Sequence, residues 1–260
     1  MSILVFDIET VPDVVSGRKI HKLSADLADK DVVKAMQHLQ FQKSGSEFLP
    51  LHLQRIVAIS VVFRKNEQLK VWSLGEEESS EKELIERFFE GVEQHNPTLV
   101  SWNGGGFDLP VLNYRSLLHG VQAARYWETG NEDNSFRYNN YLSRFHWRHT
   151  DIMDVLAGFQ PRASAKLDEV ATMLGFPGKF GMSGGDVWQT YQDGGLADIR
   201  NYCETDVLNT YLVYLRFEMI SGRMMPAQYD KAITQAKDLL QASDKPHLHD
   251  FLAVWQQDQA

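Results

Sequence analysis

The chain opens on an apolar run, Ser2-Ile-Leu-Val-Phe-Asp-Ile-Glu-Thr10, which predicts a strand. Strand side chains alternate between faces, so Asp7 and Glu9 point one way while Phe6 and Ile8 point the other. Apolar stretches at 54–63 and 69–74 predict two more strands, joined as a hairpin across Lys65-Asn66-Glu67. Residues 80–95 show helical spacing behind a serine and several acids, which predicts an amphipathic helix. From Thr98 the pattern reads strand, glycine-rich turn, helix. Asp108 opens that helix, with Pro110 in its first turn, and fits an N-cap.

Further on, 149–156 predicts a fifth strand, 166–174 a helix ended by Gly175, and 178–185 a loop. Residues 199–216 predict a long helix. Tyr202 and Asp206, four apart, share one of its faces, while Glu204 lies elsewhere and is expected in solvent. Between the first two strands, about 12–50 forms an insertion with one helical stretch at 25–42. The expected organisation is a main domain over 1–225 and a helical C-terminal extension over 226–260, with no internal repeat.

A length of 260 residues and a hydrophobic fraction of 43% suit one α/β domain, alone or with an appendage. The single cysteine, Cys203, excludes an internal disulfide and a cysteine-rich zinc site; it is expected as a small packed hydrophobe. No basic start with a cleavage signal and no membrane-length apolar run is present, so the expected location is cytoplasmic, without a membrane. The net charge of −9 argues against a broad phosphate-binding face.

Asp7 and Glu9 carry the first chemical signal. Neighbouring carboxylates repel, and one takes up a proton unless a cation neutralises the pair. A divalent metal accounts for such a pair; an exposed acidic turn is the alternative.

Together, Asp7-x-Glu9, Asn103-x-x-x-Phe-Asp108 and Tyr202-x-x-x-Asp206 resemble the three motifs of the DEDDy branch of the DnaQ-like 3′→5′ exonucleases. The likeness is greatest to predicted stand-alone exonucleases related to the proofreading domains of B-family DNA polymerases, and it spans residues 3 to about 223. The sister branch carries a histidine where this chain has Asn201, so Tyr202 selects the tyrosine branch. A third glycine among 104–106 departs from the family, which more often has a bulkier residue there.

The resemblance implies an α/β, ribonuclease H-like fold, a mixed five-stranded sheet flanked by helices. It also implies a two-metal phosphodiester hydrolysis that releases nucleoside 5′-monophosphates. Asp7 would bridge both ions, Glu9 and Asp206 would hold the water-bearing one, Asp108 the second, and Tyr202 would orient the water. An all-oxygen ligand set favours Mg²⁺ or Mn²⁺ over zinc. Thr10 and Asn103 match positions that touch the terminal nucleotide; Phe107 packs beside its base or in the core. The implied substrate is nucleic acid with a free 3′ end, single-stranded or frayed, with DNA favoured and RNA the alternative. A repair or replication partner would act in trans.

Weaker signals remain open. Arg137, Arg144 and Arg148, interleaved with Tyr138, Tyr141, Phe145 and Trp147, fit either base stacking or a helix packing its aromatics inward. Lys166 and Lys179 reach either phosphates or solvent. Asp151 and Asp154, three apart on the expected fifth strand, face opposite ways and are excluded from the ligand set.

Two other readings compete. Asp7-Ile-Glu-Thr-Val11 also resembles the opening motif of haloacid-dehalogenase-like phosphatases. Their later acidic pattern starts at Gly185-Asp186 but is broken by Val187 and Thr190, and Tyr202 and Asp206 go unexplained. The third is a catalytically inactive nucleic-acid-binding relative.

Overall fold

The computed structural model describes residues 2–179 and 181–257. Its centre is a mixed five-stranded sheet in the order β3-β2-β1-β4-β5, formed by β1 (Ser2–Pro12), β2 (Gln54–Lys65), β3 (Gln68–Ser73), β4 (Thr98–Ser101) and β5 (His149–Asp151). β1 pairs antiparallel with β2 and parallel with β4, while β4 runs parallel to β5. This is the expected ribonuclease H-like arrangement of a mixed sheet flanked by helices. The β2–β3 hairpin closes through Asn66 and Glu67, with Asn66 in the left-handed region at φ 56°, a conformation asparagine tolerates well.

Helices fill the connections: α1 (Val14–His21), α2 (Asp29–Ser44), α3 (Glu81–His95), α4 (Asp108–His119), α5 (Ala124–Trp127), α6 (Ile152–Leu156), α7 (Leu167–Met173), α8 (Val187–Gln192), α9 (Leu196–Ile220), α10 (Pro226–Ala242) and α11 (Pro246–Gln257). The alternation expected in β1 is realised on its two faces. Phe6 and Ile8 pack with Phe88 of α3 and with Leu109 and Leu112 of α4. Val5, on the opposite face, joins Val100 and the α9 residues Val207, Leu208 and Tyr211. Ala236 of α10 and Phe251 and Trp255 of α11 belong to that second cluster, so the C-terminal helices share the apolar layer that holds α9. Residues 258–260 of the expected extension lie outside the described residues.

Three local expectations are corrected. The insertion carries two helices, because Asp13 caps α1 by accepting from the Ser16 N–H and Lys22, at φ 53°, ends it before α2 begins. The fifth strand stops at Asp151, whose carboxylate accepts from the Asp154 N–H and starts α6, so alternation does not extend to Asp154. Asp108 is the first residue of α4 and not its cap; Phe107 takes the N-cap position. Among the described residues, no helix is long and apolar enough to cross a membrane.

Candidate active site

β1 delivers the first two acids. Its pairing with β4 covers only Ile3–Val5, so the Ile8 N–H lies beyond the end of β4 and needs another acceptor. Asp108 supplies it: its Oδ1 accepts from Ile8 N at 3.1 Å, which fixes the start of α4 against the residue between Asp7 and Glu9. Immediately after Glu9 the register with β2 shifts, a bulge that redirects the strand just past the acid pair.

α9 brings the remaining groups. Cys203, fully buried, donates its thiol to Asp7 O at 3.4 Å and Asp7 Oδ2 at 3.5 Å, seating the helix on β1. Tyr202 and Asp206 then flank the acid pair. The expectation for Cys203 holds as regards packing, with the addition that its thiol touches the first acid.

The acids act on one another's ionisation. Burial, followed by the charges of Asp108, Glu9 and Asp206, holds the Asp7 carboxyl well above the usual range. Glu9 is raised by burial and by Asp206 and Asp108. Burial lifts Asp108 to about 7 against the opposing pull of its own N–H and that of Ile8. Asp206 reaches about 6, raised by burial and Asp168 and lowered by the Tyr202 hydroxyl and Lys179. Burial and the charges of Asp206, Glu9 and Asp7 push the Tyr202 phenol far up, so it stays protonated at neutral pH. Buried Glu9 and Asp108 beside half-buried Asp7 and Asp206 make an acidic cluster of the kind a divalent cation relieves. Ligand atoms of Asp7, Glu9 and Cys203 lie within 4.8 Å of one another, and the surrounding donors are carboxylate oxygens, so the residues fit a hard cation such as Mg²⁺ or Mn²⁺.

A pocket of about 300 Å³ opens on the α9 side, lined by Tyr202, Asp206, Asn209, Lys166, Lys179 and Asp168. Both weaker lysine candidates therefore reach the site's edge. Asp168 and Asn209 were missed. Asn209 follows Asp206 by three residues on the same helical face, a spacing that was legible. Its side chain binds Gly178 both ways, Nδ2 to the carbonyl at 2.6 Å and Oδ1 from the N–H at 3.2 Å, holding the loop that carries Lys179. Asp168 has no local signal; only the fold sets it near Asp206.

The substrate candidates are placed as follows. Thr10 is half-buried and donates Oγ1 to Gln54 Oε1 at 3.1 Å. Asn103 adopts φ 63° at the head of the glycine turn, where its carbonyl accepts from the N–H groups of Gly106 and Phe107. Phe107 packs against the apolar cluster of Phe6 and Ile8, and its ring lies 6.0 Å from that of Phe48.

The expected exposure of Glu204 is overturned, and so is the helix offered for the arginine-aromatic segment. Glu204 is buried at 2% exposure; it accepts from Ser73 N and Oγ, each at 2.9 Å, from Lys245 Nζ at 2.7 Å, and contacts His247 Nε2 at 2.9 Å. The arginine-aromatic segment is an irregular connection with one 3₁₀ turn, Asn134–Phe136, and its arginines stack on their own neighbours. Arg148 lies 3.8 Å from the Phe136 ring centre, and Arg144 lies 5.3 Å from that of Phe159 while pairing with Asp154.

No curated protein matches the chain. The family B DNA polymerase from the hyperthermophilic archaeon Pyrobaculum calidifontis is similar at 18% identity with a TM-score of 0.48; the match covers 81% of this chain and 24% of the polymerase, about a quarter of its length. The model of the family described as predicted 3′-5′ exonuclease related to the exonuclease domain of PolB matches residues 46–255. That span includes Asp108, Tyr202 and Asp206 and begins after Asp7 and Glu9. With most of its length matched, the chain belongs to this family of predicted 3′-5′ exonucleases related to the exonuclease domain of PolB.

Proposed function

We propose that the protein is a metal-dependent 3′→5′ exonuclease that hydrolyses phosphodiester bonds from the 3′ end of nucleic acid and releases nucleoside 5′-monophosphates. DNA is the favoured substrate and RNA the alternative. The supporting observation is the cluster of Asp7, Glu9, Asp108 and Asp206: all four carboxyls are raised by burial, and those of Asp7 and Glu9 also by the charges of Asp108 and Asp206. These four residues would hold two Mg²⁺ or Mn²⁺ ions. Such ions, when bound, supply the Lewis acidity and positive charge that phosphodiester hydrolysis needs at the attacking water and the departing 3′ oxygen.

The chain's own groups orient and exclude. Tyr202 is too weak an acid to act as a base near neutral pH, so its protonated hydroxyl positions the attacking water beside Asp206. The Ile8 N–H holds Asp108 in place, and the Cys203 thiol holds Asp7. Lys166 and Lys179 offer positive charge at the mouth of the pocket, a local answer to the net charge of −9. The phosphatase alternative gives Tyr202 and Asp206 no task. An inactive relative would be expected to lack at least one of the acids.

A single-stranded oligonucleotide labelled at its 5′ end tests this reading. With Mg²⁺ or Mn²⁺ it should give a ladder of shortening labelled products. Immediate release of the label as a mononucleotide would show the opposite polarity and refute it.

A further inference from the structure

Among the described residues, one set of three metal-ligating atoms lies within 4.8 Å of one another: an oxygen each from Asp7 and Glu9, and the sulfur of Cys203. The two oxygens are hard donors, suited to Mg²⁺ or Mn²⁺. The sulfur is a soft donor, which such ions do not select. Cys203 packs in an apolar cluster with Val11, Val57, Ala58 and Ile199, a setting that asks only for a small apolar side chain. Its sulfur stands at the edge of that cluster, 3.5 Å from Asp7 Oδ2.

That distance fits a thiophilic ion. Tetrahedral bonds of about 2.0–2.2 Å to a carboxylate and about 2.3 Å to sulfur set the two ligand atoms about 3.5–3.7 Å apart. Asp7 Oδ2 and Cys203 Sγ already have that separation. Glu9 is a second and independent sign. It is buried at 8% exposure, and its carboxylate accepts no hydrogen bond from any described residue. A buried carboxylate without a donor is costly, and a cation satisfies it. Its oxygen lies within the same 4.8 Å of the sulfur.

We infer that Asp7, Glu9 and Cys203 form a site for a thiophilic divalent cation, Zn²⁺ or Cd²⁺, which overlaps the hard-cation site and inhibits the enzyme when filled. The inference rests on the cation site of the exonuclease reading and adds an ion that competes for it. As the metal–sulfur bond forms, the thiol proton passes to solvent, and two carboxylates and a thiolate hold the ion. Zinc stands above Mn²⁺ in affinity for such mixed donors, and three protein ligands suffice to hold it. Asp7 is then committed to the soft ion, whose tetrahedral shell replaces the octahedral one that Mg²⁺ demands. Cys203 is also the neighbour of Tyr202 on α9, so the bond acts on the helix that carries Tyr202 and Asp206.

The test uses the full chain after chelator treatment, as wild type and as Cys203→Ser, which keeps a hydroxyl donor toward Asp7 and removes the sulfur; melting curves check its folding. Cd²⁺ added to wild type should give an ultraviolet sulfur-to-metal charge-transfer band that saturates at one ion per chain. The chain has a single cysteine, so the band has one source and is read without any substitution. In calorimetric titrations, Cys203→Ser should lower Zn²⁺ affinity by about tenfold or more, the least that losing even an outer-shell partner of a metal costs, and Mn²⁺ affinity by about threefold at most. Zn²⁺ should stop Mn²⁺-supported nucleotide release from wild type at about a tenth of the concentration that the variant requires. No band in wild type, equal losses of Zn²⁺ and Mn²⁺ affinity in the variant, or release as fast with Zn²⁺ as with Mn²⁺ would overturn the inhibitory sulfur site and leave the exonuclease intact. Absence of release in Mg²⁺ and in Mn²⁺ alone would refute the exonuclease reading, while the band and the affinities would still decide whether the sulfur is a ligand.

Discussion

Asp108 accepts the backbone N–H of Ile8 at 3.1 Å, so the third acid is tied to the residue that separates the first two. The bond has a structural and a chemical side, and two substitutions divide them. Asp108→Asn keeps an oxygen acceptor and removes a charge from a crowded site; metal-free protein at pH 8 should melt at or above the wild-type temperature while nucleotide release is lost. Asp108→Ala leaves the Ile8 N–H without a partner and should be less stable than Asp108→Asn by about 1–3 kcal/mol. Equal melting of the two variants would mean that the hydrogen bond contributes nothing.

The acids also give stability a pH dependence with a definite sign. Asp108, at about 7, and Asp206, at about 6, hold protons in the folded state that the unfolded chain releases near 3.8. A raised folded pKa adds stability that is complete below the unfolded value and disappears as pH rises through 6 to 7. Mg²⁺ or Mn²⁺ should therefore raise the melting temperature strongly at pH 8 and little at pH 5. Buried His149, lowered to about 4, loses stability on acidification instead, but it does so with or without cation, so the difference between the two curves isolates the carboxylates. A cation effect that grows on acidification would contradict this.

Tyr202 is tested by removing one oxygen. Tyr202→Phe keeps the ring and all four acids, and the loss of one positioning hydrogen bond should slow turnover by about 10²–10³-fold with little change in melting temperature. Asp206→Asn should weaken cation binding as well as rate, measured by calorimetric titration. Unchanged turnover in Tyr202→Phe would make the tyrosine structural.

How much of this was legible follows from the range of the contacts. Alternation along β1 put Asp7 and Glu9 on one face, and helical spacing put Tyr202 beside Asp206, because both relations are set by local geometry. Glu204 could not be read in this way: its partners Lys245, between α10 and α11, and His247, in α11, lie more than 40 residues on, and Ser73 comes from β3. The fifth strand was overextended because Asp151 caps a helix in the middle of a run that otherwise looks like a strand. Asp151 also holds the glycine turn through Asn103 and Gly105, a contact between segments 46 and 48 residues apart.

The Glu204 cluster carries a prediction of its own. Glu204→Ala leaves the Ser73 N–H and hydroxyl without their buried acceptor, while Lys245, with its side chain 38% exposed, can turn to solvent; the loss should be about 1–3 kcal/mol. Denaturant titration checks it; a loss below about 1 kcal/mol would show that the cluster is energetically idle.

Nucleotide release from a 5′-labelled single strand shows whether the four acids, with a bound cation, carry the hydrolysis. Wild type, Asp7→Ala and Asp206→Ala are compared in chelator and after adding back Mg²⁺ or Mn²⁺. A shortening ladder is expected only for wild type with added cation, and no ladder for either variant under any condition. A full ladder from Asp7→Ala, or from wild type in chelator, would contradict it.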